Sequence, residues 1–345
     1  MSLPTRKIGS TAVSAIGYGA MGIAALYGSR LSDEERFKVR GFLDIAICVL
    51  DAAYERGCRN WDTADAYLDS EDLIGQWFKR NPEKRQNVFI ATKFGLRAPS
   101  GKIADGDPAY VRQAFERSIR RLGVDYIDLY YYHRADATVP IEKTVSVMSE
   151  FVKEGRVKYL GLSEVSASTI RRAHAVHPIS AIEVEYSPFT LDIEDPNVSV
   201  LKTARELGIT IVAYSPLGRG LLTGQYTKPE DFDENDFRRK IPRFSKENFP
   251  TILKLTDELK EIGRRHNATA GQVTLAWLLG QGDDVIPIPG TTKIERLDEN
   301  LGALKIKLSP EELEAVRKAA VNATLPGNRY PTGLMEVSFG DTPPL

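Results

Sequence analysis

Short apolar runs rich in β-branched and aromatic residues recur along the chain at residues 59–63, 88–94, 126–133, 157–163, 181–187, 209–215 and 285–289. Amphipathic stretches fill the gaps at 69–80, 108–122, 141–154, 166–176, 196–207 and 248–267. Short β-rich runs alternating with helical periods predict a parallel sheet with crossover helices. Several helix starts are marked, with Asp107-Pro108 as N-cap and N1, and Ser309-Pro310-Glu311-Glu312 as a cap with acids in the first turn. A first strand at 15–19 brings the count to about eight strand and helix units, enough to close a (β/α)8 TIM barrel. Ahead of it, 6–8 and 12–14 flank Gly9-Ser10-Thr11 as an N-terminal β-hairpin. No repeat, low-complexity segment or linker divides the chain. The expected architecture is α/β, a single barrel domain over 1–345, with its core at about 6–320 and a C-terminal helix followed by a tail at 321–345. Residues 219–249 and the Gly- and Pro-rich stretch from Asn322 break the alternation.

Composition narrows the partners. Lys+Arg 46 against Asp+Glu 47 leaves a net charge of −1, so no nucleic acid and no anionic membrane surface is expected as a partner. Any anionic ligand must then be held locally. The most hydrophobic run, 42–50, contains Asp44 and is roughly half of what a bilayer crossing needs. Cys48 and Cys58 form no CxxC motif, and the opening MSLPTRKIGS lacks the apolar core of a signal peptide, so a cytoplasmic location is expected. Oligomeric state is not legible.

The candidate chemistry sits at predicted strand ends. Gly17-Tyr18-Gly19-Ala20-Met21-Gly22 satisfies GxGxxG, but no helix opens within it and no acid ends a second strand about twenty residues on. The alternative is a barrel-mouth loop whose glycines let backbone approach a ligand. The second predicted strand runs into Asp62 and Tyr67, the third ends in Lys93, and the fourth ends in His133 followed by Arg134. In a barrel these ends share the catalytic face. An ammonium at Lys93 needs a partner there. His174 and His177 lie i, i+3 on a predicted helix without a third ligand nearby, so no metal site is expected.

These residues, with Gly161-Leu162-Ser163, Glu185-Tyr186-Ser187-Pro188, Ala213-Tyr214-Ser215-Pro216-Leu217 and Ile288-Pro289-Gly290-Thr291-Thr292-Lys293 at later strand ends, resemble the aldo-keto reductase family. Ser163-Glu164-Val165 and Tyr186 to Thr190 resemble its branch of pyridoxal and aromatic aldehyde reductases. The resemblance implies an NADPH/NADP+ cofactor, a small-molecule carbonyl substrate and four catalytic residues: Tyr67 as proton donor, Lys93 lowering its pKa, Asp62 holding Lys93, and His133 orienting the carbonyl oxygen. It implies a nicotinamide stacked on Tyr214 and its carboxamide near Ser163, Glu164 and Glu183. Further cofactor contacts fall at Gly22, Ser215, Pro216, Leu217 and Gly218, and at Gly290, Thr291, Thr292, Lys293, Arg296, Glu299 and Asn300 around the 2′-phosphate. Arg238-Arg239-Lys240 lies in the solvated excursion at 219–249 and is a candidate lid over the pyrophosphate.

Three departures from the family pattern carry expectations. Carboxylates at Glu164 and Glu183 replace amides and can only accept. Leu68 stands where glycine is usual and is expected to narrow the mouth. Residues 33–37 and 50–57 both look like the family's first helix, so part of 38–49 is expected to be looped out or poorly packed. Substrate identity is expected to be set by 134–140, by 219–249 and by the tail with Tyr330, Met335 and Phe339. A second class stays open: a nucleotide-binding partner or sensor protein resembling potassium-channel β subunits, with slow turnover.

Overall fold

Strand alternation turns one face of each strand inward, and here that face carries both the core and the chemistry. In the computed structural model, which describes residues 2–24, 40–97, 103–323, 325–331 and 335–345, β1 (Thr5–Ile8) and β2 (Thr11–Ser14) form an antiparallel hairpin. Among the described residues, β3 (Tyr18–Gly19), β4 (Asn60–Asp62), β5 (Phe89–Phe94), β6 (Ile127–Tyr132), β7 (Val157–Ser163), β8 (Ile179–Glu185), β9 (Thr210–Tyr214) and β10 (Val285–Pro287) then lie side by side in chain order, all parallel. The last strand meets the first: Gly17 N–H donates to Pro287 O at 2.9 Å and Gly19 N–H to Pro289 O at 3.2 Å. A Cβ at Gly19 would stand 2.6 Å from Ile288 O, and one at Gly290 would stand 2.6 Å from Gly19 O. Gly17 and Gly19 of the GxGxxG string therefore let backbone approach backbone at the barrel seam, while a Cβ at Gly22 would meet nothing within 4 Å.

Inside the barrel, Phe89, Ala91, Leu129, Tyr131, Ala181, Val212, Ile286 and Ile288 pack together, with Ile8 and Val13 of the hairpin closing the N-terminal end. Outside it, a larger apolar layer holds the helices against the strands. The helices α1 (Arg40–Glu55), α2 (Ser70–Arg80), α3 (Pro108–Leu122), α4 (Ile141–Lys153), α5 (Ala167–Val176), α6 (Val200–Glu206), α7 (Phe249–Arg265), α8 (Ala270–Leu279), α9 (Ile294–Gly302) and α10 (Pro310–Asn322) follow in order. Asp107 caps α3 as expected, accepting from Ala109 and Tyr110 N–H, and Ser309 with Glu312 forms a capping box on α10.

Two expectations are corrected. From Arg40 onward the stretch 38–49 is regular helix and is neither looped out nor loosely packed: Ala46, Val49, Leu50 and Ala53 are buried at i, i+3, i+4 and i+7, with Ile47 and Ala52 beside them. Residues 33–39 lie outside the described residues. The excursion at 219–249 is also not simply solvated. Leu221, Phe232, Ile241, Phe244 and Phe249 form a small core with Ile252 of α7, and Arg238 is committed within it, to Asp236 and to Arg219 O at 3.0 Å.

Candidate active site

Period two along β5 places Phe89, Ala91 and then Lys93 on the inner face, and along β6 Leu129, Tyr131 and then His133. The apolar residues fill the barrel, so the next inward positions, at the C-terminal rim, are where polar groups emerge. Backbone pairing continues beyond β4, with Thr63 N–H on Ala91 O and Asp65 N–H on Lys93 O, both at 2.9 Å. That carries the 63–68 turn, and Tyr67 with it, over Lys93.

Lys93 is fully buried. Its Nζ donates to Asp62 Oδ1 and to Thr63 O at 2.8 Å, lies 3.1 Å from Glu183 Oε2, and sits 5.2 Å from the centroid of the Tyr67 ring. The Tyr67 and His133 rings meet edge to face at 5.7 Å. Asp62, Tyr67, Lys93 and His133, drawn from three different strand ends, are thus brought together as one cluster. Glu183 completes it, a residue the sequence reading had turned toward the cofactor.

The electrostatics differ from expectation at one point. Burial pushes the Tyr67 phenol above its ordinary value, Lys93 only partly offsets this, and Glu183, Asp62 and Tyr330 push the same way as burial. Lys93 was expected to lower that pKa. It does pull the pKa down, but burial outweighs that pull. Burial alone would lower the Lys93 pKa, but Asp62 and Glu183 raise it, so the ammonium is firmly protonated. Burial, then Asp62, drives the Glu183 carboxyl well above the ordinary carboxylate range. The two carboxyls, Asp62 and Glu183, share the one ammonium, and burial raises the pKa of both. Burial, Lys93 and Arg134 hold His133 well below its usual range, so it is a neutral imidazole.

Glu164 is buried and fully engaged. Its Oε1 accepts from Tyr214 OH at 2.9 Å, Glu185 N–H at 3.1 Å and Arg329 Nη1 at 3.2 Å, and its Oε2 accepts from Arg329 Nη2 at 3.0 Å. Burial raises its pKa, but Arg329 and Arg134 outweigh that and hold it at about 2. Tyr214 OH also lies 2.8 Å from Tyr330 OH. The tail therefore docks on the residues that the resemblance assigned to the nicotinamide. Gly340 backs this docking by pairing with Glu164 and Ser166 backbone. The role of Arg329 had no signal in the sequence, because nothing around it marks a partner 165 positions away.

The remaining assigned residues fall into two groups. Gly22 sits in a 3-10 turn at 20–24 with open space where a Cβ would be, and Ser163 is buried at the end of β7. Ser215, Pro216, Leu217 and Gly218 form a tight turn after β9, closed by Gly218 N–H on Ser215 O at 2.9 Å. Beyond β10, Tyr18 OH donates to Thr291 O at 2.6 Å, fixing Gly290 and Thr291 beside the first strand. Thr292 and Lys293 are exposed at the start of α9, whose N-terminal N–H groups have no side-chain cap. Glu299 braces Arg296 at 2.6 Å, and Arg296 reaches Gln225 Oε1 at 3.3 Å, so this helix and the loop beyond β9 adjoin. Asn300 is buried. His174 accepts from Ile179 N–H at 3.2 Å, and among the described residues no group of three potential ligands gathers around a metal position.

Leu68 has φ +47°, in the left-handed region, which explains why glycine suits the position, and its side chain is exposed. A non-glycine residue there costs about 1–2 kcal/mol, of which glycine's greater unfolded-chain freedom returns roughly half. Leu68→Gly is expected to stabilise the protein by about 0.5–1 kcal/mol in a thermal melt. A lower melting temperature would mean that the leucine side chain holds the loop.

A parallel barrel with a carboxylate, ammonium, phenol and imidazole converging at its C-terminal rim defines a class of barrel enzyme, and the comparisons agree on which. The chain belongs to the aldo-keto reductase family, whose family model matches residues 15–321. It is 60% identical over 334 residues to the aldo-keto reductase str7 of Strobilurus tenacellus, covering 95% of each chain. It is 49% identical to the aldo-keto reductase yakc [NADP(+)] of Schizosaccharomyces pombe, covering 100% of this chain and 99% of that one. Among solved structures, the glycerol dehydrogenase of Gluconobacter oxydans superposes with a TM-score of 0.80 at 27% identity, covering 94% of this chain and 97% of the other.

Proposed function

We propose that this protein is an NADPH-dependent reductase of aldehydes and ketones with Tyr67 as proton donor, and that pyridoxal and aromatic aldehydes are among its substrates. The observation that carries the reading is the placement of a protonated phenol 5.2 Å from a buried, Asp62-held ammonium and edge-on to a neutral imidazole. When bound, NADPH supplies hydride from C4 of its nicotinamide. Tyr67 gives its proton to the oxygen of the reacting carbonyl, and Lys93 stabilises the phenolate left behind. His133, being neutral, does not compete as the acid. It donates a hydrogen bond to the same oxygen and disperses the charge that develops there.

The donor set beyond β10 fits the anionic end of this cofactor. α9 has no side-chain N-cap, as is also true of α2, α4, α6 and α7, but its N-terminus stands beside exposed Thr292 and Lys293. Lys293 and Arg296 would hold the 2′-phosphate, with Thr291, Thr292, Gly290, Glu299 and Asn300 shaping the pocket. Ser163 would face the carboxamide, Tyr214 the ring, and Gly22 with the 215–218 turn the linking phosphates. The relative from Schizosaccharomyces pombe, named for NADP(+), supports this choice.

Initial rates of NADPH oxidation with pyridoxal and benzaldehyde, beside an NADH control, test the reading. Turnover is expected with NADPH and at least tenfold less with NADH at equal concentration. In Lys293→Ala/Arg296→Ala, KM for NADPH is expected to rise about 10- to 100-fold, consistent with two charge-assisted contacts, while KM for NADH stays put. Absence of carbonyl-dependent oxidation, or equal use of both cofactors, would overturn it.

A further inference from the structure

The rim beside the catalytic cluster holds a second group of buried charges. Arg134 follows His133 directly after β6 and is buried, yet its Nε and Nη1 have no hydrogen-bond partner. The nearest carboxylate oxygen, Glu164 Oε2 at 3.4 Å, is the one that Arg329 already holds at 3.0 Å. Arg329 also pairs with Glu185 at 3.3 Å, and Arg219 reaches the same Glu185 oxygen at 3.6 Å. Asp192 is shared between Arg329 at 3.8 Å and Arg243 at 4.0 Å. Four guanidiniums, Arg134, Arg219, Arg243 and Arg329, face three carboxylates, Glu164, Glu185 and Asp192. Within this group the open N–H donors lie on Arg134.

A buried guanidinium with two unmade hydrogen bonds is costly, and such groups are retained where a ligand completes them. The surroundings say which ligand. Tyr330 lies under the cluster, its ring centroid 5.7 Å from Arg134 Cζ and 4.6 Å from Arg219 Cζ, and its hydroxyl meets Tyr214. Tyr67, Tyr214 and Tyr330 are each only partly buried, so solvent reaches this aromatic wall. Arg134 acts on the His133 imidazole and Tyr330 on the Tyr67 phenol, so the guanidinium and the acid lie around one rim.

Building on the reductase reading, we infer that Arg134 is the anion-recognition residue of the substrate subsite, and that the preferred substrates are flat aldehydes that also carry a carboxylate or phosphate. The anionic oxygens accept from Arg134 Nε and Nη1 while the carbonyl lies between Tyr67 and His133. The ring rests against Tyr330.

Matched pairs separate charge from shape: 4-carboxybenzaldehyde against its methyl ester, and pyridoxal 5′-phosphate against pyridoxal. The anionic member is expected to have a kcat/KM at least about tenfold higher, carried by KM, as a charge-assisted pair implies. Preference in one pair only identifies carboxylate or phosphate as the group read. In Arg134→Gln the ratio within each pair is expected to fall to about one, and because both members are measured on the same variant, general damage cancels. Should that variant fail to fold, benzoate and benzamide are compared on the unmodified enzyme saturated with NADP+, by calorimetry, with benzoate expected to bind at least about tenfold tighter. Equal use of both members, a ratio that survives Arg134→Gln, or equal binding of benzoate and benzamide would overturn the inference. Failure of every aldehyde to be reduced would instead remove the reductase reading, and the calorimetry would still report on Arg134.

Discussion

Tyr67→Phe is expected to lower kcat for carbonyl reduction by about 10²- to 10⁴-fold, the usual worth of a positioned acid, while the affinity for NADPH stays within a factor of two. Each tenfold step is about 1.4 kcal/mol of transition-state stabilisation. The physical case rests on who else could give the proton. His133 is held neutral by burial and by Lys93 and Arg134, Lys93 is locked as an ammonium, and Glu183 is turned to Lys93. Tyr67 remains the one acid at the mouth that faces the imidazole.

The same groups set the pH dependence. Burial raises the Tyr67 pKa, so the protonated donor persists through neutrality and is lost only as pH climbs above about 10, the ordinary phenol range. His133, with its pKa lowered, adds no ionisation between pH 6 and 9. The kcat/KM for reduction should therefore be flat over about pH 6–9 and fall at higher pH, whereas alcohol oxidation, which starts from the phenolate, should rise with pH. A tenfold or smaller loss of kcat in Tyr67→Phe, or a reduction profile that falls through pH 7, would remove Tyr67 from the role.

Lys93→Met should have a double effect, abolishing turnover and destabilising the fold by about 3–5 kcal/mol. That is the range for stranding one partner of a buried ion pair, since Asp62 would be left buried without its cation. Adding Asp62→Asn to Lys93→Met removes the stranded charge. The double variant is expected to regain most of the lost stability in denaturant unfolding while remaining inactive. This separates the two jobs of the ammonium, because stability needs only charge balance but catalysis needs the cation beside the phenol. Glu183→Gln leaves Asp62 paired with Lys93 and replaces the second carboxyl by an amide of similar shape, so it should cost no more than about 1 kcal/mol. If Lys93→Met is as stable as the parent, or the double variant is no more stable than the single one, the buried pair is not what anchors the site.

The clustered four, Asp62, Tyr67, Lys93 and His133, were legible because two local rules meet at them. Alternation marks the inward face, and the end of an apolar run marks the rim, so a lysine at position 93 or a histidine at 133 stands out against Phe89, Ala91, Leu129 and Tyr131. α1 was misjudged for the opposite reason. Two segments each looked like the same helix, and the join between them was taken as excess, although Ala46, Val49, Leu50 and Ala53 keep a single helical stripe through it. α8 escaped notice because it is apolar on nearly every side, with Val273, Thr274, Leu275, Ala276, Trp277 and Leu278 all buried. A helix covered all round has no polar face, and so no period to read.

Sequence alone determined the barrel, its order of strands and helices, the hairpin, and the convergence of Asp62, Tyr67, Lys93 and His133, since each follows from spacing within one strand and its loop. Only the tertiary structure decided what pairs with what. Gly17 and Gly19 close the seam against β10, Glu183 stands behind Lys93, and Glu164 takes Arg329 from the tail and leaves Arg134 with open donors. These outcomes depend on burial and on distances between residues remote in the chain. Both act on the charge of a side chain after folding, and neither leaves a local pattern in the order of amino acids.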